Sequence, residues 1–228
     1  MNKKITIALA GNPNSGKTTV FNNITGARQH VGNWPGVTVE KKEGHCSYKD
    51  YNINVVDLPG VYSLTAYSLD EVVARDFIIE GKPDVVVDVV DASNLERNLY
   101  LAVQLLEMHV KLVVALNMMD VAESRGYQID IARLSVLIGA PVVPLVAARN
   151  EGTQELLAAV VDVAEGNVSA DGISLQYGHD IEEEIAKLEK VIADKLPAGD
   201  YSPRWLSVKL LEEDEEIIKK IRQAHVVW

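Results

Sequence analysis

Cysteine is nearly absent from this 228-residue sequence, and long apolar runs are missing altogether. The single cysteine, Cys46, cannot form an internal disulfide, which is typical of proteins in a reducing compartment. The longest apolar stretches, near residues 85–90 and 110–119, contain Asp88 and Asn117, and they fall short of the roughly 20 residues of a transmembrane helix. We therefore expect neither a disulfide-stabilised domain nor a membrane-spanning helix in this sequence.

Basic residues are also scarce, because 22 lysines and arginines stand against 33 acidic residues and give a net charge of −11. Such a surface repels nucleic acid and anionic lipid unless basic side chains cluster locally. The pairs Lys41-Lys42 and Lys219-Lys220 are isolated and have acidic neighbours. We therefore expect no nucleic acid partner.

Glycine and lysine come together in one short segment, Gly11-Asn12-Pro13-Asn14-Ser15-Gly16-Lys17-Thr18. The segment fits the phosphate-binding pattern G-x-x-x-x-G-K-[ST] and lies between an apolar strand pattern and a helical one, as such a loop must. Its glycines let backbone N–H groups turn towards phosphate oxygens at the positive end of the next helix. Lys17 would reach the β- and γ-phosphates, Thr18 would bind Mg²⁺, and Thr19 would be a further nucleotide contact. The segment predicts a nucleoside triphosphate site.

Two further motifs bear on the identity of the nucleotide. Asp57-Leu58-Pro59-Gly60 follows a predicted strand, so that Asp57 can hold a Mg²⁺-bound water and Gly60 lies near the γ-phosphate. Asn117-Met118-Met119-Asp120 ends a later strand, at the sheet edge where a base-recognising loop belongs. Either motif alone is a common turn or chance match, and their order along the chain gives them weight.

The base-recognising motif favours GTP over ATP. The Asp120 carboxylate can accept hydrogen bonds from N1–H and the 2-amino group of guanine, whereas adenine has neither donor. Met118 can lay its thioether stem on the purine face. Ala147-Ala148-Arg149 follows the last predicted strand, and the Ala148 N–H is the expected donor to guanine O6.

Alternating strand and helix patterns predict an α/β fold with a mixed, mostly parallel sheet of six to seven strands. The predicted strands span residues 4–10, 37–47, 51–57, 84–90, 111–117 and 142–146. The predicted helices lie near residues 17–26, 68–80, 95–109, 128–138 and 153–165. The turn between strands 37–47 and 51–57 is too short for a crossover helix, so these two strands should be antiparallel.

A composition change predicts a second, smaller domain. We expect a nucleotide-binding domain over residues 1–166, a linker over 167–178 and a small all-α domain over 179–228. Within the last of these, helix patterns comprise an apolar face (Ile181, Ile185, Leu188, Ile192), a short helix over Trp205–Leu211 and a third over Glu212–Gln223. The acidic run Glu212–Glu216 is expected to begin the third helix, where negative charge suits the helix dipole. A metal site is the alternative, although adjacent carboxylates point in different directions around a helix.

Several segments together resemble the amino-terminal G domain of the bacterial ferrous iron transporter B family. They are Asn12 to Thr25, Val31-Gly32-Asn33-Trp34-Pro35-Gly36-Val37-Thr38-Val39-Glu40-Lys41-Lys42-Glu43-Gly44, Tyr62-Ser63-Leu64 with Glu71 and Ala74-Arg75, and Val90-Asp91-Ala92-Ser93-Asn94-Leu95-Glu96-Arg97-Asn98-Leu99. The Asn-Trp-Pro-Gly-Val-Thr-Val-Glu part is highly specific. The resemblance covers about residues 1–165 strongly and the helical tail only by position.

The resemblance implies a Ras-like GTPase domain and a cytosolic helical domain with a regulatory role, at the cytoplasmic face of the bacterial inner membrane. In the whole protein these precede a polytopic membrane region that imports Fe²⁺. We expect this sequence to be a fragment without that region and without the last helix of the helical domain. The implied partners are the protein's own membrane region, a small cytosolic accessory protein of iron transport and further copies of the chain.

The resemblance also locates the nucleotide-sensing switches. Switch I would span Gln29–Thr38, with Thr38 completing the Mg²⁺ shell when the γ-phosphate is present, and switch II would run from Leu58 to about Arg75. Val61 stands where Ras-type enzymes carry the glutamine that orients the attacking water, and valine has no group to do so. Arg28 and Arg75 are candidate arginine fingers and His30 a candidate base, each weighed against an ordinary surface role.

Potassium is the predicted source of the positive charge that an arginine finger supplies in other GTPases. Cation-activated GTPases that resemble this chain have asparagine at the position of Asn14, whose carbonyl oxygen suits a monovalent cation, and backbone carbonyls of Asn33–Gly36 could complete the shell. The alternative is that Asn14 only braces the loop through hydrogen bonds to the backbone. The expected cofactors are GTP or GDP, Mg²⁺ and K⁺, and the predicted catalytic residues are Asn14, Lys17, Thr38 and Gly60.

Three functions remain open from the sequence. The first is a slow GTPase whose turnover gates Fe²⁺ passage, and the second is a binding module in which nucleotide occupancy alone sets the state of the channel. The third is an Era-like GTPase acting on ribosomal RNA, which the acidic charge and the lack of a basic or aromatic RNA-binding element disfavour.

Overall fold

Seven strands form one sheet in the computed structural model, which describes residues 3–26, 29–169, 175–195 and 201–223. In sheet order β2-β3-β4-β1-β5-β6-β7, the five strands from β4 to β7 run parallel to one another, and β3 runs antiparallel to both of its neighbours, β2 and β4. The prediction of a mixed, mostly parallel sheet is confirmed. The strands are β1 Lys3–Gly11, β2 Gln29–Asn33, β3 Glu40–Tyr48, β4 Tyr51–Asp57, β5 Val85–Asp91, β6 Leu112–Asn117 and β7 Val142–Pro144.

The antiparallel edge of the sheet is larger than the sequence predicts. The short turn after β3 makes an antiparallel hairpin with β4, as expected, with Tyr48 opposite Tyr51. A further strand, β2, pairs with β3 and was not predicted. Its five residues are all exposed, so it carries no apolar alternation, and pairing with β3 alone makes it a strand. The strand predicted over 37–47 begins only at Glu40.

Six helices accompany the sheet within the described residues up to 169. The five predicted helices are present, and one more, α4, follows β6 directly. The α2 helix begins with a capping box, in which the Ser68 hydroxyl accepts from the Glu71 N–H and the Glu71 carboxylate accepts from the Ser68 N–H. The helices are α1 Lys17–Thr25, α2 Leu69–Glu80, α3 Leu95–Glu107, α4 Met119–Ser124, α5 Ile131–Ile138 and α6 Thr153–Ala164.

A large core cluster lies between the sheet and helices α1 and α6. Phe21 of α1 and Leu156 of α6 are both completely buried and pack with alternate strand residues such as Ile7 and Val87. The intervening strand residues are buried too, because helices α2 and α3 contribute buried side chains of their own, among them Ile78. A parallel sheet needs such cover on both faces, and its strands accordingly form near-continuous apolar runs.

Contacts divide the chain into two units, one of residues 1–106 with 110–173 and one of residues 107–109 with 174–228. The second unit contains α7 His179–Lys195, α8 Pro203–Leu211 and α9 Glu215–Gln223. Ile185 and Ile192 are buried on α7 as predicted, whereas Ile181 is exposed, so the apolar face begins one turn later. No helix within the described ranges is long and apolar enough to cross a membrane.

The acidic run of the second unit begins a helix. Asp214 accepts a hydrogen bond from the Ile217 N–H at 3.0 Å, directly before α9. Glu215 and Glu216 occupy the first turn, where carboxylates complement the helix dipole. Among the residues that the structure describes, no cluster of metal-binding side chains is present here or elsewhere. The run therefore begins a helix as predicted, but α9 starts at Glu215, three residues later than expected, because Glu212 caps the carboxyl end of α8.

Asp88 is a carboxylic acid in the centre of the sheet. It lies on β5 opposite Ala10 of β1 and Val114 of β6, and only 1% of it is exposed. Within the described part of the chain, its Oδ2 atom has no hydrogen-bond partner. Burial in these apolar surroundings raises the pKa of Asp88 to about 7. The folded protein therefore holds a proton at Asp88 that the unfolded chain releases near pH 4.

We expect Asp88→Asn to stabilise the fold increasingly as the pH rises. Because the folded-state pKa is raised, the Asp88 contribution to stability falls between the unfolded pKa and about 7, and its full cost is present above that value. Each unit of pKa is worth about 1.4 kcal/mol, so the gain at pH 8 is on the order of 1–4 kcal/mol, shrinking towards pH 4. Urea unfolding at pH 5 and pH 8 measures it, with the exposed Asp50→Asn as control. A gain that is equal at both pH values would contradict the raised pKa.

Candidate functional site

Five of the predicted phosphate and magnesium residues line one cleft of about 560 Å³ at the carboxyl ends of β1 and β4, whereas Asn14 and the other predicted residues of the phosphate loop are not among its lining residues. Parallel strands bring the loops that follow them to the same edge of a sheet, which is where ligands of open α/β sheets bind. The cleft joins the start of α1, the end of switch I and the start of switch II. Its lining includes Lys17, Thr18, Thr38, Asp57 and Gly60.

Two glycines of the phosphate loop are required by close packing. A Cβ at Gly11 would lie 2.7 Å from the carbonyl oxygen of Val89, on the neighbouring strand. Gly16 has a φ of 89° and begins α1, and a Cβ there would collide with the side-chain amide of Asn117. Between them, Asn14 is exposed and has a φ of 68°, a conformation that asparagine tolerates better than most residues.

Lys17 and Asp57 form a buried ion pair at the base of the cleft. The Lys17 ammonium donates to Asp57 Oδ1 and to the backbone carbonyl of Leu58, the latter at 2.6 Å. The side chains of Lys17 and Asp57 are only 10% and 8% exposed. Each charge thus compensates the other away from bulk water.

Oxygen donors suited to Mg²⁺ converge on the same cleft. The hydroxyl-bearing residues Thr18 and Thr38 are exposed to it, and Asp57 supplies a carboxylate. A small hard cation prefers such oxygen ligands and usually keeps several waters. The residues present therefore fit a Mg²⁺ ion held partly through water.

Switch I is attached to the domain through a buried indole. Trp34 packs edge-on against Phe77 of α2, with ring centroids 5.2 Å apart, and the Lys41 ammonium lies 4.9 Å from the centre of its ring. The backbone N–H of Trp34 also donates to the Val39 carbonyl at 2.9 Å. This tryptophan, which the sequence identifies only as part of a motif, anchors the loop that carries Thr38.

The start of switch II is attached to β1. The N–H groups of Leu58 and Val61 donate to the carbonyls of Leu9 and Gly11, at 3.0 and 3.2 Å. Gly60 lies against Pro13 of the phosphate loop, since a Cβ at this glycine would be 3.5 Å from the Pro13 Cα. Val61 is 5% exposed and adds packing but no side-chain hydrogen-bonding group.

Asn117 joins the phosphate loop to the predicted guanine loops. Its Nδ2 donates to the Ser15 carbonyl and its Oδ1 accepts from the Ala147 N–H, both at 2.9 Å. Asn23 of α1 donates to the Ala147 carbonyl at 2.8 Å. Sequence reasoning missed Asn23, because an asparagine within a helix carries no signal of a distant backbone partner.

The predicted base-recognising carboxylate has a cationic partner. Asp120 accepts from Arg149 at 2.9 Å through Oδ2 and from the Val121 N–H at 3.0 Å through Oδ1. The hydrogen bond from Arg149 lowers the pKa of Asp120 and so favours its ionised form. Met118 has a left-handed backbone conformation, with a φ of 61°, directly before α4. Its side chain reaches the phosphate loop, since its Cε would lie 3.8 Å from a Cβ at Gly16.

Of the other candidate catalytic side chains, Arg75 and His30 are not among the residues that line this cleft. Arg75 is completely buried on α2 and is not among the described residues that line the cleft. His30 lies on the exposed strand β2. Arg28 falls outside the described residues. Cys46 lies on β3 as predicted, where burial raises the pKa of its thiol.

Comparison with known families and sequences gives a consistent result. Residues 5–160 match the family model described as "Ferrous iron transport protein B", and residues 177–227 match the "FeoB cytosolic helical domain". The chain is 49% identical over 216 residues to the Fe(2+) transporter FeoB of Shigella flexneri and 48% identical over 217 residues to that of Salmonella typhi. Each alignment covers 93% of this chain but 27% of the relative, so the chain spans about a quarter of the length of these curated relatives.

Solved structures agree with the sequence relatives. The cytosolic domain of T. maritima FeoB matches with 42% identity over 98% of this chain and 87% of that chain, with TM-scores of 0.91 for GDP form II and 0.90 for the GMPPNP form. The FeoB G-domain from Methanococcus jannaschii matches with a TM-score of 0.65 and 52% identity, over 72% of this chain and 99% of that one. With family models over both of its units, the chain belongs to the FeoB family of ferrous iron transport proteins.

Proposed function

We propose that this chain binds GTP with Mg²⁺, hydrolyses it slowly to GDP and phosphate, and thereby regulates ferrous iron import through a membrane region. The observation that carries the proposal is the cleft in which Lys17, Thr18, Thr38, Asp57 and Gly60 meet. Solved relatives described as GDP and GMPPNP forms support a guanine nucleotide as the ligand. We assign the nucleotide-binding domain to residues 1–166, a linker to 167–178 and the helical domain to 179–228.

The phosphates would lie along the phosphate loop, with backbone N–H groups of residues 11–19 other than Pro13, which has none, donating to them. Lys17 would turn from its present partners to the β- and γ-phosphates, and its positive charge would stabilise charge developing on the transferred group. Thr18 would bind Mg²⁺ directly and Asp57 through water, while Thr38 would complete the shell. The bound metal would neutralise phosphate charge and orient the γ-phosphate.

The base would lie between Met118 and the Ala147-Ala148-Arg149 loop. The ionised Asp120 carboxylate would accept from guanine N1–H and the 2-amino group, and the Ala148 N–H would donate to O6. The Ala147 N–H is already bonded to Asn117, which supports Ala148 as the donor. Asn117 would contribute by holding the phosphate and base loops together, because both ends of its amide bond to them.

The attacking water would be positioned without a glutamine side chain. Val61 packs into the domain through an apolar side chain, so we assign the positioning of water to the Gly60 backbone. We assign the missing positive charge to K⁺, bound by the Asn14 carbonyl oxygen and backbone carbonyls of residues 33–36. The exposure of Asn14 and its place between the two loop glycines support this assignment.

In the whole protein, hydrolysis would gate the membrane-spanning iron pathway at the cytoplasmic face of the inner membrane. A small cytosolic accessory protein and further copies of the chain are the additional partners that we propose. The alternative, in which nucleotide occupancy alone sets the channel state, predicts normal iron uptake by hydrolysis-dead variants. Iron uptake by full-length protein with and without such a substitution separates the two.

We expect Lys17→Ala to abolish tight GTP binding, and Asp120→Asn to weaken guanine binding while improving affinity for xanthine nucleotides. Each lost hydrogen bond to the carboxylate costs about 1.5–3 kcal/mol, so losing two costs on the order of a hundredfold or more in affinity. Calorimetric titration with a non-hydrolysable GTP analogue measures the first change, and titration with GDP and XDP measures the second. Urea unfolding of the Lys17 variant checks that Asp57 without its partner does not unfold the domain. Equal affinity of the unmutated chain for ATP and GTP would refute the base assignment.

Thr38→Ala should reduce GTP turnover by about tenfold or more while leaving GDP affinity nearly unchanged, because its hydroxyl would bind Mg²⁺ only in the triphosphate state. Thr38 is exposed, so the substitution should not alter folding stability. Thr38→Ser keeps the hydroxyl and is the matched control. If GDP binding falls in parallel with turnover, Thr38 supports the site structurally instead.

Replacing Na⁺ with K⁺ should raise GTP turnover at least about tenfold, equivalent to about 1.4 kcal/mol of transition-state stabilisation. Asn14→Ala and Asn14→Gly should both erase this gain with GDP affinity within a few-fold of the unmutated chain. The glycine variant controls for backbone strain, since Asn14 has a positive φ that alanine tolerates poorly. Turnover of the unmutated chain that is indifferent to K⁺ at saturating nucleotide would overturn the assignment.

A further inference from the structure

The segment between β4 and α2 holds its place without regular secondary structure. Across residues 58–68, backbone N–H groups bond at three separate points. The first point is β1, which accepts from Leu58 and Val61. The last point is the Glu71 carboxylate, which accepts from the Tyr67 and Ser68 N–H groups at 2.8 and 3.3 Å. At the second point, in the middle of the segment, the acceptor is a side chain of another helix.

That side chain is Gln104 of α3. Its Oε1 accepts from the Leu64 N–H at 2.7 Å, across forty residues of sequence, and the Gln104 residue is only 6% exposed. Its Nε2 lies 3.4 Å from the hydroxyl of Tyr100, one turn earlier on α3. Both ends of the amide therefore have partners, as a buried polar group requires.

Gln104 attaches one end of a short span of the chain, residues 61–64, to α3. The Leu64 side chain is buried, with 3% of the residue exposed, and its N–H is bonded to Gln104. Three residues before Leu64, the Val61 N–H is bonded to the Gly11 carbonyl. Residues 61–64 thus lie between an attachment to β1 and an attachment to α3. Gly60, immediately before this span, lies against the phosphate loop at Pro13. Side chains also attach this span, since the Ser63 hydroxyl donates to the Glu71 carboxylate at 2.8 Å and the Arg97 guanidinium lies 4.1 Å from the centre of the Tyr62 ring. Releasing Leu64 would remove the backbone hydrogen bond that joins the span to α3.

We infer that Gln104 is a positioning residue for GTP hydrolysis, which acts through Leu64 to hold switch II so that the Gly60 backbone faces the γ-phosphate. The inference rests on the proposed GTPase function. Gln104 is not among the residues that line the phosphate cleft, so it acts through the switch backbone rather than on nucleotide. Because GDP lacks the γ-phosphate, loss of Gln104 should affect turnover and not GDP affinity.

Gln104→Met removes the acceptor but keeps an unbranched side chain of similar length. We expect the Leu64 amide to exchange its hydrogen about ten- to a hundredfold faster, because a buried N–H without its acceptor lowers the cost of local opening. We expect kcat to fall about fivefold or more, with GDP affinity within about twofold of the unmutated chain.

Two further variants make the test specific. Gln104→Glu retains an oxygen acceptor that can receive both the Leu64 N–H and the Tyr100 O–H, so it should restore slow exchange at Leu64 and most of kcat. Tyr100→Phe removes only the long 3.4 Å contact and should leave both measurements near their original values. A purely structural role for Gln104 would instead lower thermal stability, GDP affinity and kcat together.

Hydrogen exchange by NMR in the GDP and GTP-analogue forms, alongside steady-state turnover, decides the outcome. Unchanged Leu64 exchange in Gln104→Met, or a parallel loss of GDP affinity, would overturn the inference. If the unmutated chain fails to hydrolyse GTP, the proposed function fails, and this is visible before any Gln104 variant is measured. Faster Leu64 exchange with unchanged turnover would show that Gln104 holds the loop but does not position it for hydrolysis, which also overturns the inference.

Discussion

The buried amide of Asn117 is the interaction on which the geometry of the site depends. Through two hydrogen bonds of 2.9 Å it joins Ser15 to Ala147, segments that are separated by more than a hundred residues of sequence. A primary amide has both a donor and an acceptor on one planar group, so one side chain can satisfy a carbonyl and an N–H that face each other. Aspartate could not donate to Ser15, and leucine would leave two buried backbone groups unsatisfied.

Two ion pairs of different character flank this amide. The pair of Lys17 and Asp57 is nearly inaccessible to solvent, so each charge needs an opposite charge beside it, either its present partner or a ligand that takes the partner's place. Arg149 and Asp120, by contrast, are 56% and 36% exposed, and water screens their attraction. The first pair therefore shapes the electrostatics of the cleft, whereas the second mainly fixes the orientation of a carboxylate.

How far the sequence predicts this structure depends on the range of each interaction. The phosphate loop, the β3–β4 hairpin and the α2 helix are local patterns, and the sequence predicts each of them. The strand β2 was missed because its exposed residues lack any alternation and only its neighbour makes it a strand. Asn23 and Gln104 were missed for a related reason, since each bonds to the backbone of a distant loop and nothing adjacent marks it.

Among the site residues, the sequence predicts those that belong to a contiguous motif. Thr38, Asp57 and Gly60 come to the cleft with Lys17 as expected, because the ends of parallel strands meet at one edge. The partners that hold the motifs in place could not be predicted. Trp34 was recognised as part of a specific segment, but its packing against Phe77 depends on where α2 lies relative to switch I.

The packing of Gly16 against Asn117 changes how the phosphate loop glycine is to be understood. No side chain fits at this position, because the Asn117 amide occupies the space where a Cβ would stand. The glycine is thus demanded by a residue of β6 even before any phosphate is considered. A defect produced by replacing Gly16 would therefore report a broken connection between two loops, and it could not by itself be attributed to a lost contact with nucleotide.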